Sequence, residues 1–214
     1  MEDRITAGLY LEMSSFAPDR YVAERVPRVL GLPLVERASW WENVCPDRSD
    51  LPRKLPEFTL LGVYEVGAGF VAPESQEGIT GHHFRRYPRP GQGRLTGKPT
   101  IGLSLVLISP RRPERAQALR DWGDFVHLRH IAEVAVPGYT MITPYENVAE
   151  GDPRFLHFYE MDTDDPEASF QAMTPLVTER IGAVGTAAWQ AWAQSPDLRI
   201  MYVNSFRRLG STLR

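Results

Sequence analysis

Hydrophobic residues alternate with other residues in two short stretches, one near the start of the chain and one just before its midpoint. A period of two is typical of a β-strand with one buried face. Each half of the chain is therefore predicted to open with a strand. The alternating apolar positions are Leu9, Leu11 and Met13 in the first stretch, and Leu103, Leu105 and Leu107 in the second.

Two other segments carry helix signals. Within residues 113–134, Leu119, Trp122 and Val126 are spaced by three and four residues, which places them on one face of an amphipathic helix. In the second half, Asp164-Asp165-Pro166-Glu167 has an aspartate followed by proline, the pattern of a helix start. The first half predicts only a shortened second helix, around residues 68–80.

The two halves share landmarks in the same order. This repetition predicts a duplication in which each half runs strand, helix, strand, strand, helix, strand. That order is the ferredoxin-like βαββαβ motif. The fold class is therefore α+β, with two antiparallel sheets packed face to face as a pseudo-dimer. The matched landmarks are Pro33 to Trp41-Glu42-Asn43 with Pro137 to Tyr145-Glu146-Asn147, Tyr64-Glu65 with Tyr159-Glu160, and Phe84-Arg85-Arg86 with Phe206-Arg207-Arg208.

The repeat also sets the domain boundaries. The first repeat occupies residues 1–87 and carries a polar insertion at 45–57, and the second occupies residues 99–214. Residues 88–98 form a linker that begins with two prolines and two glycines and has no periodicity. A phosphate-binding glycine loop would open a helix, whereas this segment leads into a predicted strand at Thr100.

Composition excludes several classes of protein. The 214 residues are 43% hydrophobic and 24% charged, with a formal net charge of −3. These values are typical of a globular domain and give no electrostatic attraction to nucleic acid or acidic membranes. The single cysteine, Cys45, excludes an internal disulfide and a multi-cysteine metal site. The start, Met1-Glu2-Asp3-Arg4, is unlike a signal peptide, so we expect a cytoplasmic protein.

Four residues of the second half carry a family resemblance. Trp122 and His127 are followed by the Pro137-Gly138 turn, and this pattern resembles EthD-like members of the dimeric α/β-barrel superfamily. The first half looks like a diverged copy, with Arg20 and Arg25 at the tryptophan and histidine positions. The resemblance implies one barrel built from a single chain. That superfamily includes cofactor-independent monooxygenases, isomerases, polyketide cyclases and haem enzymes.

His127 is the main candidate for catalysis. On a helix, Asp124 at i−3 and His130 at i+3 could both approach its ring. A carboxylate beside an imidazole raises its basicity, which suits a general base near neutral pH. The structural alternative is a histidine that bonds a backbone carbonyl near the helix end. A pair of histidines alone lacks a third metal ligand, so no metal is predicted.

The aromatic residues suggest a binding surface. Trp40 and Trp41 are adjacent on one strand, so one of them should face the barrel together with several tyrosines. Such a lining suits a flat apolar ligand, although the same residues could simply fill the core. The predicted substrate-binding residues are Trp41, Trp122, His130, Tyr10 and Tyr159.

These elements suggest an enzyme that performs acid–base chemistry on an aromatic or polyketide-like molecule without an organic cofactor. The predicted catalytic residues are His127, Asp124 and Tyr145. His127 would move a proton, and Asp124 would orient the His127 imidazole. Tyr145, together with Trp41, would hold the substrate ring. One alternative is a non-catalytic binding or accessory protein for a hydrophobic metabolite. Another, implied by the resemblance, is haem binding. Association into a homodimer is left open.

Overall fold

Nine antiparallel strands form one sheet in the computed structural model, which describes residues 6–214. The acidic start of the chain lies outside the described residues. The strands are β1 (Gly8–Ser14), β2 (Val35–Asn43), β3 (Leu60–Val66), β4 (Ile79–Arg86), β5 (Gln92–Gly93), β6 (Gly102–Pro110), β7 (Tyr139–Asn147), β8 (Phe155–Met161) and β9 (Leu198–Leu213).

Eight of the strands close into a barrel. The first half contributes the order β4-β1-β3-β2 and the second half the order β9-β6-β8-β7. Strand β2 pairs with β9 along residues 37–43, whereas β4 pairs with β7 only at residues 84–86. The short strand β5 extends β7 outside this ring. The α+β class and the antiparallel barrel are confirmed.

Four helical segments cover the outside of the sheet. Helix α1 joins a turn at Pro18–Arg20, a π-helical turn at Tyr21–Arg25 and an α-helix at Val26–Leu30. Helix α2 also contains a π-helical turn, and it occupies most of the predicted segment 113–134. Its parts are the 3₁₀ turn Pro113–Arg115, the α-helix Ala116–Trp122, the π-helical turn Gly123–His127 and the α-helix Leu128–Glu133. Helices α3 (Pro166–Ile181) and α4 (Ala187–Ala193) follow β8.

Helix α3 begins where the sequence predicts it. The Asp165 side chain accepts a hydrogen bond of 3.0 Å from the Ala168 amide, and Pro166 occupies the first helical position. The shortened helix predicted around residues 68–80 is wrong, because that segment contains no helix. Its positive-φ glycines, Gly69 and Gly78, favour turns over helical geometry. Phe70 in this segment instead packs into the core between α1 and the sheet.

Alternation along the strands divides the apolar residues between the barrel interior and the helix-covered face. Leu9, Leu11 and Met13 face the interior together with Leu103 and Leu105, as the sequence pattern predicts. The opposite faces form separate clusters beneath α1 and beneath α2 to α4. The molecule therefore has two kinds of interior space, one inside the barrel and one between sheet and helices.

The polar insertion at 45–57 lies against the second half of the barrel. The amides of Lys54 and Leu55 donate to the Met201 carbonyl at 2.9 and 3.1 Å. The linker is also packed, since the Arg94 amide donates to the Thr140 carbonyl at 2.7 Å. Within residues 6–214, no helix combines the length and apolar character needed to cross a membrane.

Candidate functional site

An apolar cavity of about 500 Å³ lies between the second half of the sheet and helices α2, α3 and α4. We call it the helix-side cavity. Its volume lies within the usual range for small-molecule sites, roughly 300–1,000 Å³. Its polar groups include two imidazoles. The side chains that matter most for its chemistry are His127, His157, Trp122, Tyr159, Trp189 and Trp192.

His127 is held rigidly at the wall of this cavity. Its Nδ1 lies 3.0 Å from the Trp192 carbonyl oxygen, and the two rings stack with centroids 5.3 Å apart. The Trp192 indole N–H donates in return to the His127 carbonyl at 3.2 Å. The carbonyl can only accept, so Nδ1 carries the proton and Nε2 keeps its lone pair in the neutral ring.

Burial also sets the protonation state of His127. It lowers the pKa of the imidazole, and the hydrogen bond to Trp192 offsets only part of this effect. The ring is therefore neutral at physiological pH. A neutral imidazole of fixed tautomer beside an apolar cavity can accept a proton or bind a metal through Nε2.

Asp124 does not orient His127, which corrects the sequence-based prediction. Its Oδ2 accepts a hydrogen bond of 2.8 Å from Arg89, and its Oδ1 lies 3.9 Å from Nε2 of His157. Both residues 124 and 127 lie in the π-helical turn, where the wider ring of hydrogen bonds removes the α-helical i, i+3 stacking. The Trp192 carbonyl has the orienting role predicted for Asp124.

His157 was missed as a site residue, although its place on β8 beside Tyr159 follows from alternation. Burial lowers the pKa of His157 to about 3, with a further contribution from the positive charge of Arg120. Burial also raises the pKa of Asp124, against the opposing effects of Arg89 and Arg120. The helix-side cavity is therefore lined by a second neutral imidazole.

Tyr145 and Trp41 lie in the barrel interior, on the opposite face of the sheet from His127. The prediction that they share a pocket with His127 is wrong. Strand alternation separates odd from even positions, but the absolute face of each strand depends on tertiary packing. The sheet therefore divides the predicted site into two cavities.

The remaining predicted binding residues divide in the same way. Trp122 and Tyr159 line the helix-side cavity with His127, so Tyr159 faces the helices and not the barrel interior predicted for the aromatic lining. Tyr10 is buried beneath α1 against Tyr64 and Phe70, so its predicted place in the barrel is wrong. His130 lines neither cavity; its Nδ1 is 3.6 Å from Glu133 on α2.

The corresponding space beneath α1 is filled. Arg25, at the position that matches His127, forms a buried ion pair with Glu12, and Nε lies 2.9 Å from Oε1. The Tyr21 hydroxyl donates to Glu12 at 2.8 Å and lies the same distance from the Tyr64 hydroxyl. Gly62, at the position that matches His157, leaves room for the Tyr21 ring. Only the second half therefore offers an open space of this kind among the cavities described.

The 45–57 insertion closes one side of the helix-side cavity. Asp50 and Leu51 line it. Arg48 is buried, forms an ion pair with Glu167 on α3, and lies 4.5 Å above the Phe170 ring. These contacts join residues far apart in sequence, so no local pattern could have indicated them.

Among residues 6–214, no group of three or more histidine, cysteine, aspartate or glutamate side chains has the arrangement of a metal site. The residue best placed to bind a cofactor is His127, through Nε2. The lining of the helix-side cavity, as described, includes no arginine or lysine to neutralise an anionic cofactor.

No protein-family model matches the chain, and no curated protein matches it in sequence. The chain is similar in structure to an anthrone oxidase-like protein, with 10% identity, a TM-score of 0.54, and coverage of 99% of this chain and 94% of that one. It is also similar to two mutant forms of chlorite dismutase from Candidatus Nitrospira defluvii. One is a cyanide complex with 9% identity, a TM-score of 0.51 and coverage of 97% and 92%. The other has 9% identity, a TM-score of 0.50 and coverage of 97% and 93%.

Identities this low show the fold alone, since one fold can support many reactions. The closed antiparallel barrel and its four outer helices agree with these neighbours. The chain has the fold of the dimeric α/β-barrel proteins.

Proposed function

We propose that the protein is a small-molecule enzyme of the oxidase or oxygenase type that acts on a flat aromatic or polyketide-like substrate in the helix-side cavity. The observation that carries the proposal is the geometry of His127. Its Nδ1 is bound to the Trp192 carbonyl, so a neutral ring offers Nε2 at the wall of a cavity of about 500 Å³. The substrate ring packs among Trp122, Trp189 and Tyr159.

In this proposal His127 accepts a proton from an activated carbon or phenol of the substrate. The fixed tautomer aims Nε2 at the substrate, and the Trp192 carbonyl stabilises the imidazolium that forms. The aromatic walls exclude water, and a delocalised substrate anion loses less solvation energy there than a localised one. Such an electron-rich anion can react directly with dioxygen, so no organic cofactor is required. Asp124 and Tyr145 have no part in this step.

Anthrone is the first substrate to test, because its ring methylene is acidic and one neighbour is named anthrone oxidase-like. Oxidation by dioxygen converts anthrone and O₂ into anthraquinone and water, which absorbance and an oxygen electrode both measure. His127→Gln should lower the rate by roughly 10²–10⁴-fold, the usual contribution of a general base. His130→Gln, on the same helix but outside both cavities, is the matched control and should retain activity. Equal rates for wild type and His127→Gln would disprove the proposal.

A binding measurement distinguishes the enzyme from the alternative, a non-catalytic binding protein. Quenching of tryptophan fluorescence measures anthrone affinity, because three tryptophans line the cavity. A binding protein would retain that affinity in His127→Gln and show no turnover in either form.

Haem binding is the second candidate, because a ligating histidine commonly donates its other N–H to a backbone carbonyl, as His127 does. Bound there through Nε2, haem would supply oxidative chemistry. The lack of cationic side chains in the described lining weighs against it. Mixing the protein with hemin tests the idea, since a Soret shift that is lost in His127→Ala would support it.

We also propose that the chain arose by tandem duplication, with repeats at 1–87 and 99–214 joined by 88–98. The support is the matching strand order of the two halves and the π-helical turns at Tyr21–Arg25 and Gly123–His127. A specific relationship to EthD-like proteins is an interpretation that rests on Trp122, His127 and the Pro137-Gly138 turn.

A further inference from the structure

A second cavity, of about 400 Å³, opens at one end of the barrel. We call it the barrel-mouth cavity. It lies on the opposite face of the sheet from the helix-side cavity, so any ligand here is independent of the proposed reaction at His127. Pro90, Gly91 and Leu95 of the linker lie over it.

The floor of the barrel-mouth cavity is aromatic. Trp41, Tyr145 and Phe158 are buried there. The Trp41 indole N–H donates to the Ser39 hydroxyl at 2.9 Å, so its polar atom is satisfied and its ring faces are available for packing. Burial raises the pKa of the Tyr145 hydroxyl, which is therefore neutral at pH 7. This floor suits one flat ring.

Among the described residues of the rim, cationic side chains outnumber anionic ones. The side chains of Arg37, Arg86 and Arg208 line it with those of Glu65 and Glu160. Arg37 and Glu65 pair with each other, with Nε 2.7 Å from Oε1. Arg86 is half-buried, and within residues 6–214 it forms no ion pair. A half-buried guanidinium without a carboxylate is a suitable partner for an anionic group.

Glu65 supplies a complementary feature. Its Oε1 accepts from Arg37, while its Oε2 is buried and has no hydrogen-bond partner among residues 6–214. A buried acceptor without a donor is unfavourable, and a ligand donor would satisfy it. Glu65, Arg86 and Tyr145 line the same cavity, and Arg86 lies directly opposite Tyr145 where β4 pairs with β7.

We propose that the barrel-mouth cavity binds a small aromatic acid that carries a ring hydroxyl. The carboxylate pairs with Arg86, the hydroxyl donates to Oε2 of Glu65, and the ring packs on Trp41 and Tyr145. This class of ligand uses the cationic group, the unpartnered acceptor and the aromatic floor at once.

The unaltered protein provides the first test, with para-hydroxybenzoate, benzoate and phenol as probes in calorimetric titrations. Para-hydroxybenzoate should bind at least about tenfold more tightly than either of the others, because each lacks one of the two polar groups. Absence of saturable para-hydroxybenzoate binding in the millimolar range, or equal affinity for all three probes, would overturn the proposal.

Two variants locate the binding. Arg86→Met should weaken para-hydroxybenzoate binding at least about tenfold. Arg85→Met is the matched control. The Arg85 side chain is next to Arg86 in sequence, is 59% exposed, and pairs with Glu146 outside the barrel. The control should bind like wild type, and equal weakening in both variants would refute a role for Arg86. A thermal melt of Arg86→Met confirms that it is folded.

A third variant separates this site from the helix-side cavity. Ala193→Trp places a large side chain in the helix-side cavity and should leave para-hydroxybenzoate binding unchanged. If this variant abolishes binding while Arg86→Met retains it, the probe occupies the helix-side cavity and the present proposal fails. Loss of anthrone oxidation in the same variant would bear only on the proposed function.

Discussion

Oδ1 of Asp124 lies 3.9 Å from Nε2 of His157, and both side chains are buried between α2 and the sheet. The other carboxylate oxygen of Asp124 accepts a hydrogen bond from Arg89 in the linker. Oδ1 itself has no hydrogen-bond partner in the described part of the chain. These contacts join the linker, α2 and β8, and they leave one buried acceptor unsatisfied. The protonation state of His157 should therefore affect the free energy of unfolding.

The first prediction concerns acid stability. His157 has a pKa of about 3 in the fold and an ordinary value of 6.5 when unfolded. Between these values the unfolded chain binds a proton that the folded protein does not, so the free energy of unfolding falls as pH falls. His157→Gln should reduce this slope by up to about 1.4 kcal/mol per pH unit. Urea unfolding across that pH window measures the slope, and an unchanged slope would contradict the assignment.

The second prediction concerns the buried ion pair beneath α1. Arg25→Met leaves the buried Glu12 carboxylate without its cation and should lower the free energy of unfolding by about 3–5 kcal/mol. The double variant Glu12→Gln with Arg25→Met should lose less, because no uncompensated charge stays buried. Arg20→Met removes an exposed pair from the same helix and should change stability little. If the single and double variants are equally destabilised, the ion pair is not the cause.

The third prediction concerns space beneath α1. A Cβ atom at Gly62 would lie 1.8 Å from the Tyr21 hydroxyl, so Gly62→Ala must displace a buried hydrogen-bonded ring. We expect a loss of about 1–3 kcal/mol in the free energy of unfolding. Gly151→Ala, where the new Cβ would enter open space, is the control. A stable Gly62→Ala protein would show that Tyr21 does not fill this space.

The fourth prediction concerns the 45–57 insertion. Arg48→Met removes the ion pair with Glu167 and the hydrogen bond of 3.3 Å to Asn204. The insertion should then open more often, and trypsin should cleave after Lys54 at least about tenfold faster. Mass spectrometry of the fragments gives the rate. Arg20→Met again serves as control, and an unchanged rate after Arg48→Met would show that other contacts hold the insertion.

Local patterns were sufficient to predict most of the architecture. Alternation located the first strand of each half, and the Asp165-Pro166 pair located α3, because strand faces and helix caps are decided by neighbouring residues. The prediction of a helix around residues 68–80 was wrong. Gly69 and Gly78 adopt positive φ in turns, and the Phe70 ring packs into the core, so the segment does not form a helix.

The candidate site was predicted only in part. Trp122, Tyr159 and His127 do line one cavity, since spacing places them on the inner side of their elements. Tyr145 lies in the other cavity, because the face that a strand turns toward the helices depends on the whole barrel. The contact of Asp124 with Arg89 instead of His127 depends on a π-helical turn that the sequence does not indicate.

The two junctions between the halves of the barrel differ in length. The shorter one borders the barrel-mouth cavity, since Arg86 and Tyr145 belong to both. Strands β4 and β7 pair only at residues 84–86 and 145–147, and in that pairing Arg86 lies directly opposite Tyr145. Backbone hydrogen bonds are therefore fewest where the two halves meet beside this cavity. A ligand that contacts both side chains would link the two halves across this shorter junction and stabilise it. Without that ligand, this junction depends on three residue pairs, against seven at the β2–β9 junction.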